Sequence, residues 1–295
     1  MENLYLAFSD TSGNVWLIRV DPDTGLAVGT LYEILVPPTN YAYSVAGMAY
    51  DKDTDAMYLS IIIGRTDISV PPTWSLYVIN KFTYNLHHSV SLTPQQVLNS
   101  STLIRGIAYK DGIVYGIGNG IDVYLISVSS PDLNTSITLY STSLNFGDSV
   151  NLAIFDNTLY LFDTPSGITA LFTFALDGTN GSNNQIIAYP NNYNYFYSPP
   201  GIYSITANKH GTLYQIYVNA TEPSPGNMFL SKYDKSKPFT ITQVSSAPIL
   251  NGIELESTAG ALAFIPEHVH TNDSSSSFGW RNKYVGTKCN GCGKR

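Results

Sequence analysis

The sequence predicts an all-β fold built from repeated four-stranded units, and three observations carry the prediction. Short apolar strands joined by tight polar turns recur along the 295-residue chain, as in "GMAYDKDTDAMYLS" (47–60), "GIAYKDGIVYGIG" (106–118), "LAIFDNTLYLFDT" (152–164) and "SITANKHGTLYQIYV" (204–218). The second strand of each hairpin carries a tyrosine after an apolar residue, and these tyrosines (Tyr58, Tyr115, Tyr160, Tyr214) are spaced by 57, 45 and 54 residues, the period of propeller blades. The two ends of the chain each hold part of one further unit. Together these predict a five-bladed β-propeller over residues 1–266, followed by a flexible basic tail over 267–295.

Each element follows from local pattern. Asp, Asn, Lys and Gly fill the hairpin turns because Asp, Asn and Gly tolerate positive φ or bond their own backbone. A third strand with period-2 alternation follows each hairpin: 75–80, 123–128, 171–176 and 228–233. A fourth strand is predicted at 87–92 ("HHSVSL"), 136–142, 185–190 and 240–246. "GALAFIP" (260–266) reads as a first strand without successors. Segments 3–10, 15–21 and 27–34 read as second, third and fourth strands without a first, so the termini complete the fifth blade and remove its open edges. Almost no amphipathic helix is expected.

These residues make the chain resemble β-propeller repeat proteins of the YVTN and NHL-like groups, with "VWLIRVDPDTG" (15–25) the closest fragment. The resemblance implies a fold and not a chemistry, because propellers host enzymes, lectins and scaffolds alike.

Composition narrows the function. Charged residues are only 13% of the chain, about half the usual share, and Tyr (22), Asn, Ser and Thr replace them. Such a surface is polar but weakly charged, as on extracellular or particle-surface proteins. The N-terminus has no cationic stretch and no signal-peptide core, and no apolar run is long enough to span a bilayer. These features leave a virion or particle surface, or the cytoplasm, as settings. Five N-x-S/T sequons occur, about as many as this composition yields by chance. Charge is asymmetric: residues 281–295 hold five basic and no acidic side chains, within a chain of formal net charge −7. The basic tail is expected to meet an acidic partner or a neighbouring subunit.

The first strand of each blade should line the axis. Ala46, Arg105, Asn151, Tyr203 and Gly260 are placed at the mouth, with Gly47, Gly106, Leu152, Ser204 and Ala261 one step deeper, small because sheets crowd there. Connections between blades (36–45, 93–105, 143–151, 190–201, 245–259) and the loop 64–74 are long and fall on one face, whereas the hairpin turns on the other are mostly short. Function is expected on the long-loop face. Its most distinctive segment is "YPNNYNYFYSPPG", where Tyr193, Tyr195, Phe196 and Tyr197 stand among asparagines. These rings suit stacking on a sugar or anchoring a protein, or else form a plug over the propeller mouth. With Arg105, Asn151 and Tyr203 they make up the candidate ligand-binding set.

Catalytic chemistry is expected to be absent. Five-bladed propellers include glycosidases, which need carboxylates facing one bond. Here the axis carries none at its mouth, and Asp51 and Asp156 are assigned to solvated turns at the far end. Neither a G-x-S-x-G elbow nor a P-loop occurs. His210 lies in a hairpin turn, and His87 and His88 are assigned to a solvated outer strand. A propeller hydrolase or lyase with an axial site, and a purely structural assembly subunit, are the alternatives to a binding protein. No cofactor is expected. The one metal question is whether His268, His270, Cys289 and Cys292, an H-x-H and a C-x₂-C, hold zinc. Their flexible spacer matches no common finger, so incidental ligands on a mobile tail are the expectation.

Overall fold

The computed structural model describes residues 2–65, 70–88, 91–118, 122–129, 135–138, 151–163, 170–176, 204–218, 228–233 and 241–267. They form five antiparallel sheets, each a meander from inner to outer strand. Strands are numbered along the chain, and the blade that the two termini close together is blade 5. β1 (Glu2–Asp10), β2 (Val15–Val20) and β3 (Ala27–Leu35) belong to blade 5. Blade 1 is β4 (Tyr41–Asp51), β5 (Ala56–Arg65), β6 (Thr73–Asn80) and β7 (Gln95–Ser100), with helix α1 (Phe82–His88) between its last two strands. Blade 2 is β8 (Ile104–Lys110), β9 (Ile113–Gly118), β10 (Asp122–Ser127) and β11 (Thr135–Thr138). Blade 3 shows β12 (Asn151–Phe155), β13 (Thr158–Asp163) and β14 (Ala170–Ala175); its predicted fourth strand, 185–190, lies outside the described residues. Blade 4 is β15 (Ser204–Ala207), β16 (Leu213–Val218), β17 (Met228–Tyr233) and β18 (Ile241–Gln243). Finally β19 (Ser257–Pro266) pairs with β1 and supplies the inner strand of blade 5.

The inner strands touch in the cycle β4, β8, β12, β15, β19 and back to β4, so the blades close a ring. Five hydrophobic clusters fill the five gaps between blades. Met57, Leu59 and Ile61 of blade 1 meet Ala7, Val15 and Leu17 of blade 5; on its other side, Trp74 and Leu76 meet Ile104, Val114 and Ile126 of blade 2. The remaining clusters join blades 2 and 3, 3 and 4, and 4 and 5. Alternation sends one side of each strand to one neighbour and the other side to the next.

The recurrent tyrosine explains itself here. Tyr58, Tyr115 and Tyr214, and partly buried Tyr160 and Tyr5, each point into the gap with the following blade. Each sits opposite a small inner-strand residue: Ala49, Ala108, Thr206, Ala153 and Ala263, respectively. Tyr58 stacks on Tyr109 of the next blade at 6.2 Å, and Tyr214 meets Phe264 edge-on at 5.1 Å.

Three expectations are corrected. The fourth strand of blade 1 is β7, not 87–92, because residues 82–88 form α1. Asp55 caps that helix: its carboxylate accepts hydrogen bonds from the Thr83 backbone N–H (3.0 Å) and hydroxyl (2.6 Å) and from Tyr50 Oη (2.9 Å). Phe82 and Leu86, one turn apart, pack on the core, and His87 and His88 are exposed in the last turn. Second, Asp51 is not solvated but wholly buried. The turn 52–55 folds over it, so the Asp53 and Thr54 amides and the Thr54 hydroxyl donate to it, as does Tyr109 of the next blade. Third, several of the long connections are partly strand. Residues 41–45 belong to β4, 64–65 to β5, 73–74 to β6, 95–100 to β7, 104–105 to β8 and 257–259 to β19, which shortens the loops on either side of blade 1 to 36–40 and 101–103.

Candidate functional site

Strand direction divides the molecule into two faces. The hairpin turns 52–55, 111–112, 156–157 and 208–212, with 21–26 and α1, lie on one face. Connections between blades, the β1–β2 turn and the segment between β5 and β6 start and end on the other.

The turn face is locked. Asp51 of blade 1 bonds Tyr109 of blade 2. Lys110 Nζ of blade 2 donates to the Asp156 carbonyl and to Asn157 Oδ1 (2.8 Å) of blade 3. The Lys209 amide of blade 4 donates to Glu2 Oε2 (3.0 Å) of blade 5, and Tyr5 of blade 5 meets Phe82 edge-on at 5.6 Å. Burial and the hydrogen bond to Asp51 push the Tyr109 phenol up to about 12. Burial works to raise Asp51 itself, but donation from Thr54, Asp53 and Tyr109 outweighs it and holds the carboxyl below its ordinary value. His210 is exposed in its turn, where its amide bonds Asn208 Oδ1.

The axis is narrow. A cavity of about 110 Å³ runs between the inner strands toward the turn face, lined by residues such as Ala49, Tyr50, Tyr109, Ala153, Thr206 and Ala263. None of its lining residues, among those described, is acidic, histidine or cysteine. Among the described residues no group of three or more His, Cys, Asp or Glu side chains is placed to hold a metal.

At the mouth, β-bulges decide which residues protrude. Val45 pairs with Ile61 and Gly47 with Ser60, which leaves Ala46 as the extra residue; Arg105 is its counterpart between Ile104 and Gly106. Arg105 is half-buried there. Gly47 is small because a Cβ would stand 2.7 Å from the Ile107 amide nitrogen and 3.2 Å from the Arg105 carbonyl oxygen. Gly260 is small for a different reason: its Cβ would meet Met228 Sδ at 2.9 Å, between blades 4 and 5.

Asn151 occupies a deeper level than the mouth. Ala153 pairs with Tyr160 as Ala108 pairs with Tyr115, which aligns Asn151 with Gly106 and Leu152 with Ile107. Tyr203, Tyr193, Tyr195, Phe196 and Tyr197 lie outside the described residues, as do His268, His270, Cys289 and Cys292.

A feature that sequence reading missed stands on the long-loop face at blade 1. β4 starts four residues ahead of the point that matches the start of β8, so the β4–β5 pair rises roughly 13 Å further. Its end is capped by Tyr41 opposite Arg65, whose Cζ lies 5.5 Å from the Tyr41 ring centroid. The base is clamped: the Tyr43 amide donates to the Gly13 carbonyl (3.2 Å), and a Cβ on Gly13 would collide with Ala42 Cα at 2.7 Å. The four exposed large apolar side chains among the described residues are Val36 (60%), Tyr41 (37%), Val70 (38%) and Tyr84 (45%). The first three lie on the long-loop face; Tyr84 lies on α1, on the turn face. The sequence signal was available, since "YAYSV" alternates and "SIIIGR" continues the apolar run of the strand it extends.

Beside β1–β2, Asp10 is buried yet satisfied. It accepts hydrogen bonds from the Ser12 and Asn14 amides (2.9 Å each), Asn14 Nδ2 (3.1 Å) and Trp16 Nε1 (2.9 Å). A carboxylate so occupied holds a turn and is not poised for chemistry.

No protein-family model and no curated protein matches the chain. Among solved structures it is similar to a glutaminyl cyclase from Myxococcus xanthus, at 11% identity and TM-score 0.44, over 71% of this chain and 80% of that one. It is similar also to TolB from Acinetobacter baumannii, at 9% identity and TM-score 0.47, over 83% of this chain and 53% of that one. A third is a GH43 glycoside hydrolase engineered for both endo-xylanase and exo-arabinofuranosidase activity, at 10% identity and TM-score 0.48, over 92% of this chain and 56% of that one. The chain thus spans a little over half the length of the last two. Likenesses at this level carry no chemistry, and the five-bladed propeller rests on the chain's own ring of sheets.

Proposed function

We propose that the protein is a non-enzymatic recognition propeller that binds a glycan or protein through its long-loop face, in a setting such as a virion or particle surface. The contrast between the two faces carries this reading. On the turn face, side chains of one blade are spent on the next, so that face acts as a fixed frame. The long-loop face carries the projecting β4–β5 pair, the bulged Arg105 and three of the four exposed large apolar side chains among the described residues. A described axial lining that is mainly aliphatic, with Tyr50, Tyr109 and Thr206 as its polar side chains, supports binding over hydrolysis.

The tail would serve as a tether. β19 ends at Pro266 on the turn face, beside the first residues of β1, so the chain leaves the ring opposite the recognition face. An acidic surface or neighbouring subunit could then hold the protein while the long-loop face points outward.

The test is a glycan array and a protein-capture screen with the full chain, repeated with Arg105→Ala on the long-loop face and Tyr84→Ser on the turn face. Binding weakened by Arg105→Ala and unchanged by Tyr84→Ser is expected. The opposite pattern would overturn the reading.

A further inference from the structure

We infer that Asn251–Gly252, in the connection from blade 4 to blade 5, is a site of spontaneous covalent modification, where water and the Gly252 amide convert Asn251 to aspartate and isoaspartate. The inference goes beyond the recognition reading and does not depend on it.

Both reacting groups are free and exposed. Asn251 and Gly252 form the tip of a turn in which the Asn251 amide donates to the Pro248 carbonyl (3.1 Å) and the Ile253 amide to the Leu250 carbonyl (2.9 Å). Between them, neither the Gly252 amide nor the Asn251 carboxamide is engaged in a hydrogen bond among the described residues. Gly252 has φ 81°, and no atom lies within 4 Å of where its Cβ would stand. With no side chain on that residue, nothing shields its nitrogen from the Asn251 Cγ. Every other asparagine among the described residues precedes a residue with a side chain, as Asn80 precedes Lys81 and Asn99 precedes Ser100. Asn–Gly recurs at 119–120, 180–181 and 290–291, outside the described residues.

The reaction balances without a catalyst. Base removes the Gly252 amide proton, and the nitrogen attacks Asn251 Cγ. The N–Cγ bond forms, the Cγ–Nδ2 bond breaks, and Nδ2 leaves with a proton as ammonia. Water then opens the cyclic imide. Cleavage of N–Cγ gives aspartate; cleavage between the nitrogen and the Asn251 main-chain carbonyl carbon gives isoaspartate. The net change is water in and ammonia out.

The turn is pinned on both sides, which gives the product a structural effect. The Ile249 amide donates to the Met228 carbonyl of blade 4 (2.7 Å), and the Ile249 carbonyl accepts from the Ala27 amide of blade 5 (2.8 Å). Ile249, Leu250, Ile253 and Leu255 pack in the gap between those blades. Isoaspartate routes the main chain through the side-chain carbons and lengthens it by one methylene, so the Ile253–Leu250 hydrogen bond no longer closes the same ring. The new carboxylate also joins the exposed Glu254 and Glu256.

The experiment ages the folded full-length protein at neutral and mildly alkaline pH. Peptide mass mapping follows each asparagine, and an isoaspartyl methyltransferase assay identifies isoaspartate. Asn251 should convert about tenfold or more faster than Asn80 and Asn99, and faster still as pH rises. Gly252→Ala should slow the conversion about tenfold or more. Asn251→Gln, which keeps the amide on a longer side chain, should stay unconverted. The aged fraction carrying isoaspartate should exchange amide hydrogens faster over 249–255 than fresh protein. Asn251→Asp, with the charge and an ordinary main chain, should exchange there like fresh protein. An intact Asn251, conversion no faster than at Asn99, conversion only in denaturant, or a rate indifferent to Gly252→Ala would each overturn the inference. Unchanged exchange in the isoaspartate fraction would overturn its structural effect.

Discussion

Single residues lock the blades together, and their energetics can be tested one at a time. Ser60 is buried in blade 1; its hydroxyl donates to the Ile104 carbonyl of blade 2 (2.7 Å) and accepts from Trp74 Nε1 (2.7 Å). Ser60→Ala strands two buried polar groups at once, which costs about 1–3 kcal/mol for each group left unsatisfied. Denaturant melts should show a lower midpoint with an unchanged slope. Ser9 and Ser204 play the same part, accepting the Val45 and Leu262 amides of neighbouring blades (2.9 Å each). Gly47 and Gly64 form a controlled pair. A Cβ at Gly47 strikes backbone at 2.7 Å, whereas at Gly64 the nearest atom is 4.0 Å away. Gly47→Ala should cost about 1–3 kcal/mol, while Gly64→Ala should be neutral or slightly stabilising through the unfolded chain. Asp51 sets a pH dependence. Its folded carboxyl titrates below the ordinary 3.8, so the stability it contributes is present above that value. That stability is lost as pH falls from 3.8 through the folded value. Asp51→Asn should flatten the acid limb of a stability–pH curve and leave its neutral and alkaline parts parallel to the original.

Elements show how far sequence pattern reaches. The hairpins were legible because alternation and Asp/Gly turns are local properties, and the structure bears out each inner and second strand, with those of blade 1 about five residues longer than predicted. Helix α1 was not legible in the same way. "HHSVSL" alternates like a strand, but Asp55, nearly thirty residues earlier in sequence, caps the helix and settles the matter. Replacing Asp55 with Ala should cost about 0.5–2 kcal/mol, and hydrogen exchange should quicken over 82–88 with little change in the blade strands. If the segment stays equally protected, the cap is not what holds α1. A second miss was a one-residue offset in blade 3. Aligning Asp156 with Asp51 ignores that one hairpin has a two-residue turn and the other a four-residue turn; the Ala–Tyr pairs give the true level of Asn151. The candidate site was legible only as a face. Its projecting corner depends on β4 and β5 remaining paired beyond the body of the sheet, and the meeting of Tyr41 with Arg65 follows from that register.

At the scale of the whole molecule, the five interblade clusters make stability a property of the closed ring. No blade buries both of its faces alone, and β19 is the strand that joins the last blade to the first. Leu262 and Ala261 have no exposed surface, and they lie in two different clusters, one on each side of blade 5. Removing the strand would therefore expose apolar surface in two gaps at once, where each large side chain uncovered costs about 1.5–3 kcal/mol. A chain ending at Glu256 should fail to give a cooperative unfolding transition. A chain ending at Glu267 keeps every strand of the ring, and its melting should coincide with that of the full chain if 267–295 is a separate tail. The two truncations differ by only eleven residues, so length and composition hardly change between them. Tethering can be read from the same pair of proteins, full chain and chain ending at Glu267. Binding to an acidic surface should belong to the full chain alone and weaken steeply as salt rises, since it rests on five cationic side chains. Recognition through the long-loop face should be the same for both, because the tail starts from the opposite side of the ring. Loss of recognition on trimming the tail would place a binding determinant in residues 268–295 and would separate the two roles differently.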